Sequence, residues 1–531
     1  MKTAHPISRL ARCLLALAFT GWVGSRSLHA QGSLTPPAGP PVPGMKTLDQ
    51  IEPRTPVNAT TCPGDASFQF IIKKPGSYYL TGDLLGESGK SGIYITVPDV
   101  VLDLNGFTLT GVPGASRGIQ LSSPNAENTV LRNGIVRNWS NFGILAYGIR
   151  GLRCSHITCK GNGGNFGGGM GMGSGAIEDC NFIDNVTSGL WVEGYAIITK
   201  CVAISNANTG FVAISGSSTF VNCTASLNQT GFSMNMETTA SGCTAAKNQL
   251  EGFSGGKFLN CVALENGLSG FNLDTDSRAN GCTAQSNGTS GFKVADRCLL
   301  EACSAFDNAL IGISGGQYTT LSHCSVAKNK TDGIHTEEYS TLLQCNASTN
   351  AANGIVTGSY AQIDGCTASE NSQTGISCGA NATLRHCTVA KNKTDGIHAL
   401  ADASISHCTA AANAENGIAT GTYALIEECQ ALRNGVDGIQ LAGGSLVKGC
   451  LASRNGVAGA AAGIRAGGSG SSIEGNSTRD NVGTGILSGL GNIIIRNRSG
   501  GNSVNNYTPA NGAGFAPVES PATQTNPSAN F

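Results

Sequence analysis

"HCSVAKNKTDGIH" at residues 323–335 returns at 386–398 as "HCTVAKNKTDGIH", with Ser325 replaced by Thr388 as the single change. The offset is 63 residues. The likeness continues beyond these words: "NGIVTGSYAQIDGC" (353–366) is matched at the same offset by "NGIATGTYALIEEC" (416–429). A shorter period lies beneath. Cys stands at 180, 201, 223, 243, 261, 282, 303, 324, 345, 366, 387, 408, 429 and 450, mostly 21 residues apart. Five residues after each Cys comes Asn, from Asn185 to Asn455. Sixty-three is therefore three periods, and a block of three repeats has been duplicated. The recurring His and Asp are copies roughly 14 Å apart, too far to form one site.

Within a repeat, Cys and the Ala or Val two residues later share a period of two, with Thr or Ser between them and Leu or Ile three before. That is strand patterning, with Cys and Ala inward and Thr outward. No part of a repeat holds an amphipathic helix. Twenty-one residues of short strands without a helix describe one coil of a parallel β-helix. Asn is expected at the tight turns because it tolerates the left-handed conformation, and stacked Asn amides can hydrogen-bond from coil to coil. Carried outward, the Asn frame reaches Asn138, Asn162, Asn481 and Asn502. The Cys slot then holds Asn133, Ile157, Asn476 and Asn497, so it is an interior position and not a cysteine chemistry. No zinc site is expected, because its ligands would have to converge in a tetrahedron. In-register Cβ atoms about 4.8 Å apart are too distant for a run of disulfides, so reduced buried thiols are expected. Cys62, Cys154, Cys159, Cys298 and Cys378 lie off the ladder.

Composition agrees with a repeat solenoid. There are 74 Gly in 531 residues, 13% charged and 40% hydrophobic residues, which leaves enough apolar surface to bury. A net charge of -1 offers no basic surface for nucleic acid. Residues 1–30 read as an export signal: Lys2, Arg9 and Arg12, then the short apolar "LLALAFTGWVG" (14–24) and "SLHA" ending at Ala30. No later segment is long and apolar enough to span a membrane. Residues 31–66 are a Pro-rich linker and lead-in, 67–117 a cap with the first coils, 118–502 the repeats, and 503–531 a tail.

The repeat "L-x-x-C-x-A-x-x-N…G-I" resembles that of pectin-lyase-like parallel β-helices. "PGSYYLTGDL" (75–84), "ITVPDVVLDLNGFTLTG" (95–111) and "VLRNGIVRNW" (130–139) are similar to a group of exported bacterial right-handed β-helix proteins. The resemblance spans roughly residues 46–500. It implies an all-β chain: a single-stranded right-handed parallel β-helix of about twenty coils with an N-terminal cap, about 95 Å long. It implies no activity, because this fold hosts polysaccharide lyases, glycosidases, uronate epimerases, phage tailspikes, adhesins and accessory proteins.

Catalytic elements known from such folds are missing. "NKTDGIH" approaches the N-T-D-G element of polygalacturonase-like hydrolases, but no Asp-Asp, G-H-G or R-I-K follows, and the epimerase D-P-H is absent. Asp274, Asp276, Arg278, Asp296 and Arg297 form the densest acidic-basic cluster, read as a solvated loop face. His386 and His407 share a slot in adjacent coils and should point out and stack, while His335 and His398 should also point out. "GGNFGGGMGMGSG" (163–175) reads as a loop between coils.

Tyr318, Tyr339 and Tyr360 hold one outward slot in three successive coils, and Tyr423 returns to it. The row is read as an aromatic stack fixing coil register. Its second reading is a platform for sugar, with Glu338, Glu337 and His335 as polar contacts. The expected function is an exported scaffold that binds extracellular polysaccharide without catalysis, needing no cofactor or metal. The alternative is a polysaccharide lyase, glycosidase or uronate epimerase.

Overall fold

A computed structural model describes residues 52–164, 167–456, 461–509, 514–519 and 526–531. The expected export signal and most of the lead-in lie outside these residues. The chain divides at Pro53, and the unit Arg54–Phe531 is a parallel β-solenoid. Among the described residues no helix is long and apolar enough to cross a membrane.

One coil shows how the repeat folds. Ile334–Thr336 forms a strand on a first face, Thr341–Leu343 on a second and Asn346–Ser348 on a third. Each pairs in parallel register with its counterpart one coil on: Ile334 with Ile355, Leu342 with Ile363, Ala347 with Ala368. Along the first face run twenty-one strands among the described residues, from Phe68–Ile72 to Tyr507–Pro509. Three residues per coil are left-handed: Tyr339 (φ 58°), Gln344 (φ 52°) and Thr349 (φ 56°). They turn the chain from face to face. None is Gly, and each is held by donating its N–H to a carbonyl of the next coil: Ser359, Asp364 and Ser369.

The ladder Asn residues are therefore not the left-handed corners, contrary to the expectation; each follows one. Asn350 comes after Thr349 and points inward, fully buried. Its Oδ1 accepts the backbone N–H of Asn329 (3.1 Å), and its own N–H donates to Asn371 Oδ1 (3.0 Å). This ladder runs unbroken from Asn162 to Asn502. The extrapolated frame fails at the N-terminal end. Asn138 is itself a left-handed corner (φ 61°) and exposed, and Trp139 takes the interior slot, donating its N–H to Asn162 Oδ1. Likewise Gly134, not Asn133, pairs with Ile157. The spacing rule missed by one residue because Asn suits both positions.

The core is a stack of like residues. Phe211, Phe232, Phe253, Phe271 and Phe292 lie ring on ring at 5.0, 4.7, 4.9 and 4.7 Å, and Ile313 continues the column. All described Cys are buried and free, including Cys62, Cys154, Cys159, Cys298 and Cys378. Burial pushes the thiols of Cys159 and Cys378 up, the latter to about 12. Beyond the Cys ladder, Asn476, Asn497 and Asn530 occupy the same slot and hydrogen-bond in series.

Both ends are crossed by chain. Thr55–Pro56 pairs with Tyr78–Tyr79, and Pro63 bridges antiparallel to Phe70. At the other end Asn530 donates to the carbonyls of Ile494 and Ala516. Covering an end removes the unpaired edge that would recruit another chain.

Candidate functional site

The left-handed corner between the first and second faces generates the most regular outer feature. In successive coils this slot holds Asp276, Arg297, Tyr318, Tyr339, Tyr360, Asn381, Asp402 and Tyr423, all at φ between 57° and 63°. A left-handed residue between two strands projects its side chain away from the core. The residues that follow the tyrosines, Thr319, Ser340 and Ala361, are buried. The tyrosines themselves are exposed, and their rings stack at 5.0 and 4.9 Å with planes within 7°.

Stacking decides what the row can offer. Tyr339 has a ring against each face, so it presents only its edge and hydroxyl to solvent. One face of Tyr318 and one of Tyr360 remain outside the stack. The expected coil-to-coil stack is there, and it leaves the end rings one open face each and the middle ring its edge. Tyr423 stands alone because the next coil has Gly444 in this slot, and a Cβ there would lie 2.6 Å from the Tyr423 ring.

Beside the row is a shallow cleft of about 320 Å³, lined by Gln317, His335, Glu337, Glu338, Val356 and Gly358. Glu338, Glu337 and His335 thus gather next to the tyrosines. Gly358 forms a wall where a Cβ would press on the Glu338 backbone at 2.6 Å. His335 Nδ1 meets Asp332 Oδ2 at 3.4 Å, and this contact raises the imidazole above its ordinary value. Burial works to raise the Asp332 carboxyl, but hydrogen bonds from His335 and Asn353 outweigh it and hold it low. His398 repeats the arrangement with Asp395 at 3.3 Å.

The acidic-basic cluster resolves into a closed pair. Arg297 donates from Nε and Nη2 to the two oxygens of Asp276 at 2.8 and 2.9 Å, with both side chains exposed. The Arg297 guanidinium holds the Asp276 carboxyl below the usual range. Asp296 is turned elsewhere and accepts the Gln317 N–H. Asp276 and Arg297 occupy the same corner slot as the tyrosines, two coils and one coil before Tyr318. Sequence reasoning missed this common slot, although counting six residues back from each Cys reaches it.

His386 and His407 are also corner residues, between the second and third faces, with rings 5.4 Å apart. Each is drawn to a different carboxylate, Asp364 at 3.0 Å and Glu428 at 2.9 Å. Among the described residues no three His, Cys, Asp or Glu side chains converge to hold a metal ion.

A family model described as right handed beta helix region matches residues 91–250 and 269–410. No curated protein matches the chain by sequence. Similar solved structures include a double mutant of the periplasmic alginate epimerase AlgG, at 11% identity over 83% of each chain with a TM-score of 0.26. The A-module of mannuronan C-5 epimerase AlgE6 from Azotobacter vinelandii matches at 14% identity over 63% of this chain and 90% of its own, TM-score 0.26. Tailspike protein 3 of bacteriophage CBA120 matches at 12% identity over 87% of this chain and 59% of its own, TM-score 0.21.

Proposed function

The chain belongs to the right handed beta helix region family, and from that premise we propose that it is an exported, non-catalytic rod that binds extracellular polysaccharide. Tyr318, Tyr339, Tyr360 and Glu338 are the contact residues. The observation that carries this reading is the exposed tyrosine stack on a rigid corner, with Glu338 and His335 in the cleft beside it. Flat rings and hydroxyl edges at fixed spacing suit sugar rings, and a solenoid loses little conformational entropy in presenting them. The enzymatic alternative needs carboxylates and a base free to converge on one sugar; the Asp276–Arg297 pair is closed on itself.

The test is co-sedimentation with neutral and acidic polysaccharides, run beside an assay for new reducing ends and unsaturated uronate. Asn381 holds the same left-handed slot, so Asn is the substitution that keeps the corner. The triple variant Tyr318→Asn, Tyr339→Asn, Tyr360→Asn should stay folded and lose about tenfold or more in affinity, about 1.4 kcal/mol. Product formation by the wild-type chain would overturn the reading, as would undiminished binding by the triple variant.

A further inference from the structure

On the outward side of the first face, successive coils carry Tyr94, Gln120, Leu145, Gly171, Trp191 and Val212. Gly171 interrupts this series with a gap one side chain wide. The segment 163–175 was expected to be a loop, yet Met170–Met172 is a strand of the first face. What the glycine makes possible is the placement of Tyr147: a Cβ at 171 would stand 2.6 Å from its ring. Phe142 meets Tyr147 edge-on at 5.4 Å, and Trp191 rises from the next coil as the facing wall.

The result is a cleft of about 380 Å³, lined by Phe142, Tyr147, Trp191, Glu193, Ser188 and Asn208, with Gly167 and Gly168 along one side. Its volume is near the low end of the roughly 300–1,000 Å³ of small-molecule sites, which suits one ring and not a long chain. Its polar groups are a carboxylate, a phenol, an amide, an indole N–H and the hydroxyls of Thr187 and Ser188, and among the described residues its lining holds no Lys, Arg or His. Burial alone raises the Glu193 carboxyl. Burial and the nearby Glu193 charge raise the Tyr147 hydroxyl. The Trp191 indole N–H is shielded from solvent and has no partner among the described residues.

We propose that this cleft is a binding subsite for a single pyranose ring bearing no acid group, stacked on Trp191 and Tyr147 and hydrogen-bonded by Glu193 and Asn208. Aromatic walls with a few hydroxyl-matching groups recognise a sugar ring. An unpaired carboxylate with no cation in the lining repels a uronate. The inference rests on the saccharide reading above, but at a site apart from the tyrosine row.

Trp191 supplies its own reporter. The chain has three Trp; Trp22 is in the expected export signal and Trp139 is fully buried. The mature protein is titrated with maltose, cellobiose and lactose, and in parallel with glucuronate and galacturonate, following tryptophan fluorescence. Saturable quenching by at least one neutral disaccharide below about 10 mM, lost in Trp191→Phe and weakened at least fivefold in Gly171→Ala, is the expected result. Glu193→Gln should keep neutral binding and let a uronate quench. Equal response to uronates in the wild-type chain, or none to any neutral sugar, would overturn the proposal. Should polysaccharide co-sediment through the tyrosine row while Trp191 stays silent, this subsite falls and the reading above stands. Quenching without co-sedimentation would leave the subsite and remove the row.

Discussion

Asn371 shows how much one side chain carries in this fold. Its Oδ1 accepts from both the backbone N–H and the amide of Asn350 at 3.0 Å, and its Nδ2 donates to Ala347 O at 3.1 Å. Asn371→Ala leaves these buried groups without partners, at about 1–3 kcal/mol for each. Chemical denaturation should show a loss of about 3 kcal/mol or more, and hydrogen exchange should place it at the Asn350 and Asn371 amides. A loss below 1 kcal/mol would mean the ladder is decoration. His335 and His398 give a second test at this scale. Both imidazoles are raised by Asp332 and Asp395. A raised imidazole binds its proton more tightly in the folded chain than in the unfolded one. The stabilisation is therefore complete below an ordinary pKa of about 6.5 and fades as pH climbs through the folded value. The lowered Asp332 carboxyl contributes above its ordinary value and loses that contribution as acid protonates it. Melting temperature should fall from pH 6 to pH 8 in the wild-type chain and fall less in the double variant His335→Gln, His398→Gln.

Strands here are only about three residues long, too short to be stable alone. What makes them strands is the column each joins. The inward phenylalanines bury fully and stack within 5.0 Å of one another. Phe253→Ala opens a cavity with rings above and below, and should cost about 4 kcal/mol by denaturant titration. Phe253→Ile should cost far less, because Ile313 and its successors already fill this column. The corners depend on the same cooperation. Tyr339, Gln344 and Thr349 hold a conformation that costs a lone L-residue roughly 1–2 kcal/mol, and hydrogen bonds to the next coil offset it.

At the scale of the molecule, a coil contacts chiefly its neighbours, so stability is close to a sum over coils and interfaces. The duplication makes this testable. Deleting residues 336–398 joins His335 to Ala399, recreates the native "NKTDGIHAL" junction and removes 63 residues, or three coils. The shortened chain should fold and be shorter by roughly 14 Å in solution scattering. Deleting 336–388 breaks the period and should yield insoluble protein, because every later strand would then meet the wrong partner. If both deletions fold alike, register is not what specifies the rod.

The parallel β-helix, the inward Cys and Ala, the outward tyrosine slot and the three-coil duplication were legible in the sequence, because a 21-residue period repeats one environment many times and any single coil reports on the rest. The register at Trp139 was not, since Asn is at home both in the left-handed corner and in the ladder beside it. Nor was the pairing of Asp276 with Arg297, whereas the stack of Tyr318, Tyr339 and Tyr360 was. The cleft beside Trp191 was least visible of all: its walls come from residues 142 to 208, and one of them, Tyr147, lies where Gly171 has no side chain. Periodicity fixes which side of the sheet a residue takes. Where outward side chains of different coils lean, pair or leave a gap depends on neighbours about 21 residues away in the chain and one strand spacing away in space, and only the folded stack sets those distances.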